Sequence, residues 1–312
     1  MRGFNGMNGL SKTAGSVYVW LRGSVAIGLA LCAGQGCAVA LAEKDVFRPN
    51  ESNRRDQTAP LTLDNEARLP ASVTLRHHRL ATAMGALAVT LADTSVDRLI
   101  LHCGGNASDR KTDGVSYLEK VTRFGDVMLF DYPGYGDSEG APVTADFEAA
   151  IDGVVEQARR LIDRESPAQV VVWGHSLGGF VCSRVVTALG AQVSRVVLET
   201  SAQNAAQVAK VWVPWYAKPF YRIEINAGLT SYDNAAALRG FSGKVLVLGA
   251  GKDRVLPASL SRSLHEGLQG AGVNAGYHEF PKATHFNVDE QPEFRAVIEQ
   301  FLANSEAELK LQ

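Results

Sequence analysis

The chain has 312 residues, 46% of them hydrophobic and 21% charged, with 33 acidic against 31 basic side chains. A net charge of −2 provides no electrostatic footprint for a nucleic-acid partner. Four cysteines are too few for a disulfide scaffold, and the length suits one α/β domain behind a leader.

Arg2, Lys12 and Arg22 precede the apolar run Val25-Ala26-Ile27-Gly28-Leu29-Ala30-Leu31, and small residues follow, as in an export segment. Three readings of residues 1–42 stand. Ala40-Leu41-Ala42 offers an A-x-A cleavage site that leaves Glu43 as the first mature residue. Gly36-Cys37 offers a lipoprotein processing site, although Gly34 replaces the usual large aliphatic residue. Without cleavage the run is a signal anchor, giving membrane attachment. Each places the remaining chain outside the cytoplasm: periplasmic, or anchored on the outer side of the inner membrane or in the outer membrane. Residues 43–71 are polar, contain Pro49, Pro60 and Pro70, and read as a linker.

The domain itself spans about 72–306. Strand-like runs are expected at 73–80, 86–92, 98–102, 127–130, 170–173, 195–199, 245–248 and 276–280, most of them short and β-branched. Between them lie helical patterns near 115–124, 144–162, 180–189 and 260–268. In the second of these, Thr144 is the expected N-cap, and Phe147, Ile151, Val154, Val155, Ala158, Leu161 and Ile162 repeat at helical spacing. A last helix is expected with Pro292 in its first turn and Phe294, Val297, Ile298, Phe301 and Leu302 on one face. Buried strands alternating with amphipathic helices define a mostly parallel sheet covered on both faces. Cys103 and Cys182 read as small buried hydrophobes, with a disulfide open to them in an oxidising compartment.

The alternation breaks at 202–241, where Trp212, Trp215, Tyr216, Phe220 and Tyr221 crowd together. An insertion there lies over the crevice where open α/β sheets bind ligands, so it reads as a short cap. Its aromatics either wall an acyl pocket, pack the cap onto the domain, or face a membrane.

Val170-Val171-Val172-Trp173 runs directly into Gly174-His175-Ser176-Leu177-Gly178 and then a helix pattern. This is the strand–turn–helix setting of a nucleophile elbow, against which stands a plain turn with an idle serine. A serine hydroxyl needs a base and an orienting acid, in the chain order Ser, Asp or Glu, His. Asp253 and His285 follow late strands in that order, with Glu199 and Asp289 as rival acids. His265 falls in a helix and His278 in a strand, so both read as structural. The oxyanion donors are the N–H of Leu177 and the N–H of Asn106, with Gly105 as the alternative to Asn106.

Together, Gly105-Asn106-Ala107, Asp131-Tyr132-Pro133-Gly134-Tyr135-Gly136-Asp137-Ser138, the elbow, Asp253 and His285 resemble the α/β-hydrolase superfamily. Within it they are similar to the branch of depalmitoylating α/β-hydrolase-domain proteins and prolyl-oligopeptidase catalytic domains. The usual His-Gly-Asn is here Cys103-Gly104-Gly105-Asn106. The resemblance implies an α/β-hydrolase fold with an eight-stranded, mostly parallel sheet. It also implies a serine hydrolase with no metal and no cofactor, and that Glu199 is not the acid. The expected reaction is hydrolysis of a carboxylic ester or thioester of a small or lipid-like acyl substrate. The alternatives are a peptidase of the prolyl-oligopeptidase type and a non-catalytic binding module on the same fold.

Overall fold

A computed structural model describes residues 37–50, 58–212 and 221–303. The apolar run at 25–31, the residues ahead of Cys37 and the aromatic stretch 213–220 lie outside the described residues. Eight strands form the main sheet: β2 (Thr74–Thr82), β3 (Gly85–Asp93), β4 (Leu99–Cys103), β5 (Asp126–Phe130), β6 (Val170–His175), β7 (Arg195–Glu199), β9 (Lys244–Ala250) and β10 (Asn274–Phe280). Two further strands, β1 (Cys37–Leu41) and β8 (Tyr221–Ile225), pair with each other in parallel as a separate ribbon.

Across the sheet the order is β10-β9-β7-β6-β4-β5-β3-β2. Only β3 breaks the parallel arrangement, running antiparallel to both β2 and β5. Central strands β4 and β6 are buried along their whole length, because helices cover both faces. Edge strand β2 instead alternates in exposure and carries Arg76 and Arg79, charges that guard an edge against pairing with another chain.

The side chains of β6 show how the two faces are built. Val170 and Val172 point into one core, while Val171 and Trp173 point into the other. The first core takes helices α3 (Thr144–Glu165), α4 (Gly178–Leu189) and α8 (Ala258–Gly270) through Phe147, Val154, Val185 and Leu264. The second takes α2 (Arg110–Val121) and α9 (Phe294–Leu302) through Val115, Leu118, Ile298 and Phe301.

Three local expectations shift. Helix α2 begins earlier, because the Asp109 side chain caps it by accepting from the Lys111 N–H at 2.9 Å. Helix α9 begins at Phe294, so Pro292 precedes it. Thr144 is the first residue of α3, with Val143 at the cap position. The acceptor for the Thr144 N–H is the Glu43 carboxylate at 3.1 Å, from 101 residues away. Residues 43–71, expected as a linker, place Phe47 at 1% exposure and Leu63 at 5% in the two cores. They begin with a short helix, α1 (Glu43–Val46).

The insertion after β7 consists of α5 (Ala205–Trp212), β8, α6 (Ala227–Thr230) and α7 (Asn234–Ala237). It lies at the carboxyl ends of the parallel strands, where the site residues converge.

Candidate active site

Strand β6 ends at His175 and α4 starts at Gly178, so the chain reverses within two residues. Ser176 takes φ 54°, the left-handed region that L-residues avoid, at a cost of about 1–3 kcal/mol. The surroundings hold it there. Its N–H donates to the Glu199 carbonyl at 2.8 Å, and its carbonyl accepts from the Ser201 hydroxyl at 2.9 Å. The elbow glycines are required by crowding. A Cβ at Gly174 would lie 2.5 Å from the Gly178 carbonyl oxygen, and one at Gly178 would run into the Cys103 carbonyl.

Asp253 and His285 come together as a buried pair. His285 Nδ1 lies 2.7 Å from Asp253 Oδ2, with the two side chains 4% and 0% exposed. Asp253 Oδ1 accepts from the N–H groups of Val255 and Leu256 at 2.7 and 2.8 Å, which fixes the carboxylate. An ionised carboxylate is an acceptor only, so Nδ1 carries the ring proton and Nε2 is the basic nitrogen.

The elbow and the histidine loop are joined through His175. Its Nε2 donates to the His285 carbonyl at 3.1 Å, and the two rings lie 5.1 Å apart. Burial pushes the His175 pKa down to about 4, so the ring is neutral near pH 7. The residue before Ser176 therefore holds the loop of His285, a contact that the Gly-x-Ser-x-Gly pattern does not specify.

The rival acids face elsewhere. Glu199 is fully buried, with Lys120 Nζ 2.7 Å from Oε1 and Trp173 Nε1 2.9 Å from Oε2. Asp289 Oδ1 lies 3.6 Å from the same Lys120. His265 bonds the Ala275 carbonyl, and His278 packs edge-on against Phe280.

Leu177 is the N-cap of α4, where backbone N–H groups lack intrahelical acceptors and the helix dipole favours negative charge. Gly105, the alternative second donor, packs against the elbow. A Cβ there would lie 2.8 Å from His175 Nδ1 and 3.6 Å from Ser176 Cβ. Asn106 sits one residue further out and is exposed.

The loop of Gly104, Gly105 and Asn106 is held from below. Cys103 is bonded to Cys182, tying the end of β4 to α4, and the Tyr132 hydroxyl donates to the Gly104 carbonyl at 2.6 Å. Both cysteines are buried as expected, and they form the disulfide that the sequence left open. Beside the loop, Arg110 lies fully buried with Nη2 2.9 Å from Asp137 Oδ2, and its N–H donates to Asp131 Oδ1 at 2.6 Å. Burial pushes the Asp131 carboxyl up to about 7, against the pull of Arg110. The Asp131–Ser138 motif is thus a polar brace, with no side chain in the Asp253–His285 pair.

A serine on a strained elbow, a carboxylate–imidazole pair and a helix N-terminus, all at the carboxyl end of a parallel sheet, define a hydrolase-type site. The sequence pattern of the alpha/beta hydrolase family matches residues 99–296, and the chain belongs to that family. An uncharacterized protein of Mycobacterium tuberculosis is 31% identical over 173 residues, covering 53% of this chain and 56% of that protein. The lysophosphatidylserine lipase ABHD12 of Xenopus tropicalis is 28% identical over 232 residues, covering 67% of this chain and 58% of the lipase. The chain thus spans little more than half the length of these relatives. The esterase Pf2001 of Pyrococcus furiosus shares the fold, with a TM-score of 0.59 at 15% identity over 82% of this chain and 97% of the esterase.

Proposed function

We propose that this chain is a serine hydrolase that cleaves carboxylic ester or thioester bonds through a covalent acyl-enzyme. The observation that carries the reading is the buried Asp253–His285 pair, linked through His175 to the strained Ser176 elbow. Ser176 Oγ attacks the acyl carbonyl carbon as His285 Nε2 takes its proton, and Asp253 stabilises the imidazolium. The developing oxyanion is bound by the N–H of Leu177 and that of Asn106 or Gly105. Collapse expels the alcohol or thiol, which receives the proton from Nε2. Water then repeats the sequence on the acyl-enzyme, releasing the acid and restoring Ser176.

The similarity to a lysophosphatidylserine lipase supports single-chain phospholipid esters as the first lipid substrates to try. The Cys103–Cys182 bond supports residence in an oxidising compartment, in line with export by the leader. A fluorophosphonate probe is expected to label the protein once, at Ser176, and Ser176→Ala is expected to abolish the labelling. An unlabelled wild type that also turns over no ester or thioester across a graded chain-length series would overturn the proposal.

His175 supplies a separate expectation. His175→Gln keeps an N–H where Nε2–H stood and retains kcat within a few fold. His175→Leu loses about tenfold to a hundredfold with little change in KM, because the His285 loop is no longer held. Equal losses in steady-state assays of the two variants would remove this role.

A further inference from the structure

The exposed side chain of Asn106 has its whole carboxamide engaged. Nδ2 donates to the Val46 carbonyl at 2.7 Å. Oδ1 accepts from the Arg48 N–H at 2.9 Å, the Tyr135 hydroxyl at 2.9 Å and the Ala107 N–H at 3.1 Å. Two of these bonds grip the backbone on either side of Phe47, which is extended at φ −89° and ψ 104°, much as a neighbouring strand would. The Phe47 ring turns into the domain, stacked 4.2 Å from Phe147 and edge-on to Tyr232 at 5.7 Å.

The same segment is tied down at two further points. The Glu43 carboxylate accepts from the N–H of Thr144 at the start of α3 and from the Thr144 hydroxyl. The Leu41 carbonyl accepts from the Asn226 N–H in the insertion at 3.0 Å. The loop it grips is not one that holds its shape unaided. Ala107, next to Asn106, sits at φ 59°, a conformation that costs an alanine about 1–2 kcal/mol. Such strain persists only where the surroundings impose it.

We infer that residues 41–48 are a strap that completes the active site. Phe47 anchors it, and through it the side chain of Asn106 holds the backbone N–H groups of the oxyanion loop toward Ser176. Phe47 and the Asn106 carboxamide are positioning residues and touch no substrate. The kinetic consequence rests on the hydrolase reading of Ser176; the structural one does not. The competing role is a plug, in which Phe47 fills space that an acyl chain would use. The strap is favoured because Asn106 grips its backbone and Phe47 is sealed at 1% exposure between α3 and the insertion.

The test compares wild type, Phe47→Ala, Phe47→Leu and Asn106→Ala in the full chain, by hydrogen exchange and by hydrolysis of p-nitrophenyl butyrate. Phe47→Ala is expected to speed exchange of the amides at 104–108. It should also lower kcat about tenfold to a hundredfold, the effect of a donor displaced from its line, with KM within about twofold. Phe47→Leu keeps an apolar anchor and restores most of both. Asn106→Ala leaves the core untouched, so it decides the question if Phe47→Ala does not fold. It is expected to speed exchange at 46–48 and to give the same kinetic split. Unchanged exchange at 104–108 in a folded Phe47→Ala protein, or a rise in its kcat/KM, overturns the strap, the latter in favour of the plug. A wild type that hydrolyses no ester defeats the hydrolase reading alone, and the exchange data then decide the strap.

Discussion

Ser176→Ala is expected to lower kcat for a short p-nitrophenyl ester by about a millionfold, His285→Ala by a similar factor, and the double variant by no more than either. The physical ground is that nucleophile and base act as one unit. A hydroxyl with no base is left at its ordinary acidity, and a base with no hydroxyl has nothing to deprotonate. Asp253→Asn removes less, about ten-thousandfold, because its damage is indirect. Oδ2 now accepts the Nδ1 proton of His285 at 2.7 Å. An amide NH₂ turned toward Nδ1 would favour the opposite tautomer, with the proton on Nε2, where it blocks attack. The other carboxylate oxygen accepts two backbone N–H groups, so the amide oxygen is drawn to that side and the NH₂ toward the ring. Steady-state kinetics at equal concentrations of folded protein measures all four variants, with fluorophosphonate titration fixing the active-site concentration of the wild type. Losses that multiply in the double variant, or Asp253→Asn at wild-type rate, would remove the triad. Activity remaining above the uncatalysed rate reports the oxyanion donors.

The strands of the main sheet along the chain and the turn after β6 were legible in the sequence because their signals are local. A β-branched run such as Val170-Val171-Val172 has nowhere to go but a covered strand, and Gly-x-Ser-x-Gly directly after it admits one geometry. The contact between Asp253 and His285 was legible because chain order and strand ends narrow the choice. The connections across the chain were not. Glu43 capping a helix 101 residues away, and Phe47 stacking on Phe147, join segments whose local sequences carry no trace of each other. Pro49 and the mostly polar residues around Phe47 resemble a linker, and a single buried aromatic there has no periodicity to announce it. The Cys103–Cys182 bond was left open by the sequence, although its place is suggestive: Cys103 stands directly before the Gly104-Gly105 pair, and Cys182 follows Ser176 by less than two helical turns. Glu199 ends a strand just as a catalytic acid would. Only its buried partners, Lys120 and Trp173, show that its charge is already engaged.

That engagement sets the second large effect. Lys120→Met is expected to destabilise the fold by about 3–5 kcal/mol, read as a fall in the urea midpoint at constant slope, because it strands the Glu199 carboxylate in the core. Lys120→Met combined with Glu199→Leu should recover most of the loss, since replacing both members of a buried pair with apolar groups is nearly neutral. The pH dependence separates this account from simple loss of packing. Burial alone would raise the Glu199 carboxyl, but Lys120, with help from His175 and the hydrogen bonds of Lys120 and Trp173, brings it down to about 2 from an ordinary 4.5. A carboxyl depressed in the fold contributes stability that is present above its unfolded pKa and lost as pH falls through its folded pKa. In the wild type that contribution, on the order of 3 kcal/mol, fades between about pH 4.5 and pH 2. Without Lys120 the sign reverses: burial dominates, the carboxyl is raised, and acid relieves the stranded charge. The deficit of Lys120→Met relative to wild type should therefore shrink as pH is lowered, other acid-sensitive groups cancelling in the difference. A deficit constant from pH 7 to pH 3 would mean that Lys120 serves only as packing. Because the Glu199 carbonyl also accepts the Ser176 N–H at 2.8 Å, Lys120→Met should slow fluorophosphonate labelling of the folded protein at neutral pH. The Lys120–Glu199 ion pair holds the strand end on which Ser176 turns.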